Sequence, residues 1–425
     1  MKALLAEAVT YFHSNAGFDR LFRLMRSKYR SYGRIGGRLE LAQVTAAEAE
    51  ALASLFGYNR YRGDVFSVLF KDVQPALDRT RFSGVVLEDL LAAYFRLPLR
   101  SRTEEQVLWE EERRVFFAAL LAGVAGAEAL LTGILARDRR LQYFDRVYRA
   151  ASGRDSLRQF ALAWAGLPDR PEPISIFASR ALGDPHALDK GTDLFQLFIT
   201  AGMYLYTVDA AFSGSELVNE VFFRLRLVRD DIANDVACYG LRLEDGRTAA
   251  YWQGAYDTCA VLKVPVKELI RLEEHAVFTA REVFVVENYG VFSYLADTLA
   301  TNGKRVPLVC TAGQPRLATW LLLDRLVKGG ATLYYGGDFD PEGLTMADKY
   351  LVRYAGSAQA WHMSPEDYGR TAPKVPIPSS RLRQLSNLRS ADLQQTAACI
   401  NERQQAGYQE ELLDVLRADL LAVPG

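Results

Sequence analysis

REVFVVEN (residues 281–288), VPLVCT (306–311), ATLYYGGD (331–338) and AQAWHM (358–363) are short apolar runs, and longer amphipathic segments separate them. Those segments, YGVFSYLADTLA (289–300), PRLATWLLLDRLVKG (315–329) and PEGLTMADKYLVRYAG (341–356), space their apolar residues for one helix face. Strand–helix alternation with continuous apolar strands predicts a parallel sheet covered on both faces. Such sheets carry their working residues just past the carboxyl ends of the strands.

Three carboxylates stand at those ends. Glu287 follows VFVV, and Asp338 and Asp340 follow ATLYYGG. A right-handed crossover that sets the two strands side by side would bring all three to one rim. In extended chain, residues i and i+2 face the same way, so Asp338 and Asp340 share a face while Phe339 turns into the fold. Converging carboxylates raise one another's pKa unless a cation neutralises them. Oxygen-only ligands select a hard ion, Mg²⁺ or Mn²⁺, which also takes phosphate oxygens and serves phosphodiester chemistry. Gly336 and Gly337 keep the approach open, Pro341 suits the first helical position, and Glu342 opens a helix whose amino end favours an anion. Asn288 and Gln314 lie at the same rim as candidate supporting groups. The plainer reading makes DFDP a turn with a helix cap and leaves Glu287 facing water.

The rest of the chain surrounds this unit. With 425 residues, two or three domains are expected. We divide it into a basic region for DNA or partner binding (1–100), a helical region (101–226), a connecting α/β region (227–280) and the catalytic α/β domain with its extension (281–425). Between residues 19 and 38 stand seven Arg or Lys and one Asp, so Arg23, Arg26, Lys28, Arg30 and Arg34 are candidate polyanion contacts. Arg381 and Arg383, in a polar segment after the core, are candidates too. The arginine-rich helix within residues 19–38 should give way to a glycine turn at Gly36 and Gly37, a strand, and a new helix signalled by Thr45 with Glu48. In GDPHALDKGT (183–192), His186 and the nearby Asp184, Asp189 and Asp193 read as turn and capping residues. Cys238, Cys259, Cys310 and Cys399 lack zinc or disulfide spacing, which points to a reducing cytoplasm. The apolar stretch FFAALLAGVAGAEALLTGIL (116–135) reads as a buried helix pair rather than a membrane span, and a net charge of −1 leaves nucleic-acid binding to local charge.

Residues 281–363 resemble a Toprim domain, the catalytic fold of topoisomerases, bacterial primases and several nucleases. The shared residues are a glutamate after the first strand and an Asp-x-Asp after a later one. GQPRLATWLLLDRL with GGDFDPEGL is most similar to the version in the A subunit of topoisomerase VI. GRIGGRLEL, GDPHALDKGT, VVENYGVFSYL, VCTAGQP, YGGDFDPEGL, WHMSPEDY and YQEELL resemble a bacterial family with a DUF3323-type N-terminal and a DUF2399-type C-terminal region, the nuclease subunit of Wadjet anti-plasmid systems. The resemblance implies a multidomain chain, with a mainly helical N-terminal region containing winged-helix elements and a C-terminal α/β Toprim domain. It implies a homodimer that cuts double-stranded plasmid DNA with Mg²⁺ or Mn²⁺. Its partners would be an SMC-like ATPase and that ATPase's kleisin-like and winged-helix-like subunits. Glu287 would act as general acid or base while also sharing the metal, with Asp338 and Asp340 as the principal ligands. No tyrosine, Tyr29 and Tyr32 included, sits in a context matching the topoisomerase nucleophile, which favours hydrolysis by water. The alternatives are a topoisomerase VI-like strand-breaking enzyme, a noncatalytic DNA-clamping subunit, and an Asp-x-Asp phosphatase.

Overall fold

The computed structural model describes residues 2–57, 61–62, 65–206, 214–244, 249–272 and 276–424. The chain divides into two compact units, Met1–Ala122 and Gly123–Gly425.

In the first unit, the arginine-rich helix Asp19–Tyr32 buries Leu21, Phe22 and Met25 and leaves its cations outside. It ends at Gly33 rather than at the Gly36–Gly37 pair, because Gly33 takes the left-handed conformation (φ 67°) that closes a helix C-terminus. Strand Arg38–Ala42 pairs antiparallel with Val65–Leu69, which also pairs with Tyr61–Arg62. Helix Ala46–Phe56 starts with the expected box: Thr45 Oγ1 accepts from Glu48 N, and Glu48 returns a carboxylate to Thr45 N. Phe12, Phe18, Phe22, Phe66 and Phe70 are among the side chains that form the core of this unit.

The second unit begins with helices whose core centres on Phe160, Trp164 and Phe198, with rings 5.1–5.5 Å from their neighbours. It then builds a six-stranded sheet. The strands are β1 (Asp235–Tyr239), β2 (Leu262–Pro265), β3 (Glu282–Val286), β4 (Leu308–Cys310), β5 (Thr332–Gly336) and β6 (Ala358–Ala360). Their spatial order is β6-β5-β3-β4-β1-β2. The four C-terminal strands are parallel, as their apolar runs predict; β4 is buried throughout and β3 after its first residue. Residues 227–280 do more than connect, since β1 and β2 extend the same sheet antiparallel.

Three helices follow the strands: α1 (Tyr289–Thr301), α2 (Leu317–Lys328) and α3 (Pro341–Arg353). Right-handed crossovers in this strand order put α1 on one face and α2 and α3 on the other. The helical region is tied to the second face through Glu216, which accepts from Trp320 Nε1 (3.1 Å) and pairs with Lys349 (2.9 Å). The stretch 116–135 spans the end of helix Arg102–Leu121 and the helix Glu128–Leu135. No described helix is long and apolar enough to cross a membrane.

Candidate functional site

Register sets the site. Val286 pairs with Gly336 on one side and with Cys310 on the other, so the residues that follow leave the sheet at one rim. Glu287 is there, only 9% exposed, with its backbone oxygen accepting from Gly313 N at 3.2 Å. Its carboxylate Oε2 lies 3.5 Å from Asp338 N. A Cβ on Gly337 would stand 3.0 Å from that oxygen and 3.3 Å from Tyr335 Oη, so glycine leaves the gap between them clear.

Asp338 is held from two directions. Asn288 Nδ2 donates to both its oxygens at 3.3 Å, and Gln409 N donates to Oδ1 at 2.8 Å. Phe339 turns inward, fully buried, and bridges to Gly407, which brings the 409–412 turn against the site. Neither Glu287 nor Asp338 forms an ion pair with a described residue. Burial first, and the Asp338 charge second, push Glu287 up to about 7. Asp338 is also raised, chiefly by burial, and Glu410 adds negative charge to both. Cys310, donating to Glu287 O at 3.6 Å, is pushed up to about 11 by burial.

Asp340 has two other partners. Oδ1 caps α3 by accepting from Gly343 N at 2.7 Å, and Oδ2 pairs with Arg381 Nη2 at 2.7 Å. Arg381 also grips both oxygens of Glu342, and Gln384 Nε2 donates to Oε1 at 3.0 Å, which together hold Glu342 below the usual carboxylate range. Asp338 and Asp340 therefore serve different neighbours across Phe339. Among the described residues, no group of three or more His, Cys, Asp or Glu side chains is gathered to hold a metal ion. Glu287 and Asp338 suit a hard cation in donor type and in their raised pKa values. Asp340 would join them on releasing Arg381.

The other predicted residues are dispersed. Gln314 is exposed just past β4. Arg383 lines a cleft of about 560 Å³ in the C-terminal extension. In the first unit, Arg23 pairs with Asp19 (2.8 Å), Arg30 with Glu105 (2.7 Å), and Arg26 and Lys28 lie over Phe95 and Tyr32, while Arg34 is exposed. His186 is exposed beside Asp189, and His362 is held between Asp367 and Asp419. Sequence reasoning missed the Gln409 backbone donor and the ionic role of Arg381, because both are contacts from distant segments. The only sequence signal near the first was YQEELL.

Comparison with curated proteins returns no match. Two family models do match: "Protein of unknown function N-terminus (DUF3323)" over residues 35–243 and "Protein of unknown function C-terminus (DUF2399)" over residues 262–420. The N-terminal region of this chain thus matches the DUF3323 family, and its C-terminal region, which carries the carboxylate rim, matches the DUF2399 family.

Proposed function

We propose that this chain is a metal-dependent DNA endonuclease with a Toprim-type catalytic sheet. The observation that carries the reading is the pairing of Glu287 with Asp338. Buried Glu287 and half-buried Asp338, neither ion-paired among the described residues, follow adjacent parallel strands with Glu287 Oε2 3.5 Å from Asp338 N, at the end of the sheet where such folds do their chemistry.

Glu287, Asp338 and, once freed from Arg381, Asp340 would hold Mg²⁺ or Mn²⁺. The ion would supply charge neutralisation at a phosphate and a more acidic water. Glu287, held near neutrality by burial and by Asp338, can take or give a proton at the attacking water or the leaving oxygen. Asn288 and the Gln409 N–H orient Asp338, as outer partners of metal-site carboxylates do. Helix α3 begins at this rim, and its amino end favours a phosphate.

The resemblance to the Wadjet nuclease subunit extends the proposal. The protein acts in the cytoplasm as a homodimer on circular plasmid DNA, delivered by an SMC-like ATPase with kleisin-like and winged-helix-like subunits. Supercoiled plasmid incubated with the protein and Mg²⁺ or Mn²⁺, alone and with those partners, tests it. Glu287→Ala and Asp338→Ala should each abolish cutting, and undiminished cutting by either overturns the assignment. Free DNA ends after denaturation support hydrolysis, whereas a protein-linked end indicates a tyrosine mechanism.

A further inference from the structure

A duplex lying on the carboxylate rim needs cations along its backbone. Arg381 is committed to Asp340 and Glu342. Two clefts of the Gly123–Gly425 unit supply the charge instead, and the GDPHALDKGT loop joins them.

The first cleft, about 730 Å³, is lined by Lys190, Arg229 and Arg316 together with Asn219 and Asn234. It adjoins the rim, because Arg316 is three residues past Gly313, whose N–H donates to Glu287 O. Three extended residues span about 10 Å. Of its cations, Arg316 alone reaches a described carboxylate, at the outer limit of an ion pair. Lys190 pairs with no described residue, Arg229 donates to Asn219 Oδ1 (3.3 Å), and Arg316 stands 3.8 Å from Asp235. The acids of this cleft are used locally: Asp230 accepts from the Ile232 and Ala233 N–H groups, and Asp189 meets His186.

The second cleft, about 650 Å³, is lined by Arg137, Arg139, Arg146 and Arg149 with Tyr143, against Asp145 as the only acid in its lining. Helix Gln142–Arg149 buries Phe144, Val147 and Tyr148, so Arg146 and Arg149 face outward. Tyr143 Oη donates to Asp193 Oδ1 at 2.7 Å. Asp193 lies three residues beyond Lys190, so the loop connects one cleft to the other.

We propose that the two clefts form one track for the phosphate backbone of duplex DNA, running from helix Gln142–Arg149 over the GDPHALDKGT loop to the carboxylate rim. The track rests on the nuclease reading of that rim. Its three rim-side cations would meet about three phosphates of one strand, which carries one charge per roughly 3.4 Å of axis.

The test is fluorescence anisotropy of a fluorescein-labelled linear duplex with the full chain, in EDTA, over a range of salt. Lys190→Glu/Arg229→Glu and Arg139→Glu/Arg146→Glu should each weaken binding by about tenfold or more and lower the salt slope by about 2. Arg229→Lys and Arg146→Lys should bind as wild type. Equal thermal midpoints exclude misfolding, and Gln replaces Glu in any variant that does not fold. Unchanged affinity and slope in both pairs, or no binding by the wild type at low salt, overturns the track. EDTA keeps this separate from catalysis. Track-dependent binding without plasmid cutting would sink the nuclease reading alone, and cutting that ignores the charge reversals would sink the track alone.

Discussion

Glu287 sits where burial and the neighbouring Asp338 charge oppose its ionised form. In the unfolded chain its carboxyl ionises near 4.5, and in the folded protein near 7. Below 4.5 it is protonated in both states and makes no difference. As pH rises from 4.5 to 7 the unfolded chain loses the proton and the folded one keeps it. Stability therefore falls, and the full loss, roughly 3 kcal/mol, is in place above 7. In EDTA the wild type should thus lose more stability between pH 5 and pH 8 than Glu287→Gln, measured by denaturant midpoint. Mg²⁺ or Mn²⁺ should restore part of it at pH 8. Equal pH dependence of the two proteins would mean that burial does not strain this carboxyl. Glu287 and Asp338 were legible in the sequence because each ends an apolar run. Their partners were not, because the Gln409 N–H arrives from 71 residues beyond Asp338, and Arg381 from 41 residues beyond Asp340.

At the scale of elements, the start of α3 separates what Asp340 does for the helix from what it does for charge. Its cap on Gly343 N is a hydrogen bond that Asn makes equally well, whereas the pair with Arg381 needs a carboxylate. Asp340→Ala should cost about 1 kcal/mol of stability, while Asp340→Asn stays within a few tenths by thermal denaturation. Both should lose plasmid cutting if Asp340 becomes a ligand. Gly343 makes the opposite point about propensity. Alanine normally improves a helix by about 1 kcal/mol, yet a Cβ here would meet the Asp338 backbone oxygen at 2.3 Å. Gly343→Ala should lower the melting temperature and displace Asp338; a rise would show that the strand end can yield. The plainer reading of DFDP as a turn with a helix cap describes Asp340 correctly as far as its Oδ1 goes. Sequence spacing placed Asp338 and Asp340 on one face, and Phe339 does turn inward, but the Arg381 pair gives the two carboxylates different neighbours.

At the scale of the molecule, the sheet continues across residue 280. The four parallel strands were legible because continuous apolar runs alternate with amphipathic helices. β1 and β2 were not, because DVACY and LKVP are short, lie among charged connectors, and gain strand character only by pairing, β1 with β4 and β2 with β1. Without them, β4 would be an open edge of three buried residues, Leu308, Val309 and Cys310, with unpaired backbone groups on an apolar strand. Removing helix Gly214–Arg224 would also strip Glu216 from Lys349, a charge about nine-tenths buried that nothing else described neutralises. A fragment of residues 281–425 should therefore aggregate or unfold without a cooperative transition. Residues 123–425 should unfold cooperatively and keep native-like near-ultraviolet circular dichroism. Cooperative unfolding of the shorter fragment would show that the parallel strands and their helices suffice alone. The catalytic rim would then be a module to which β1, β2 and the helical region were added, instead of a site their pairing helps to build.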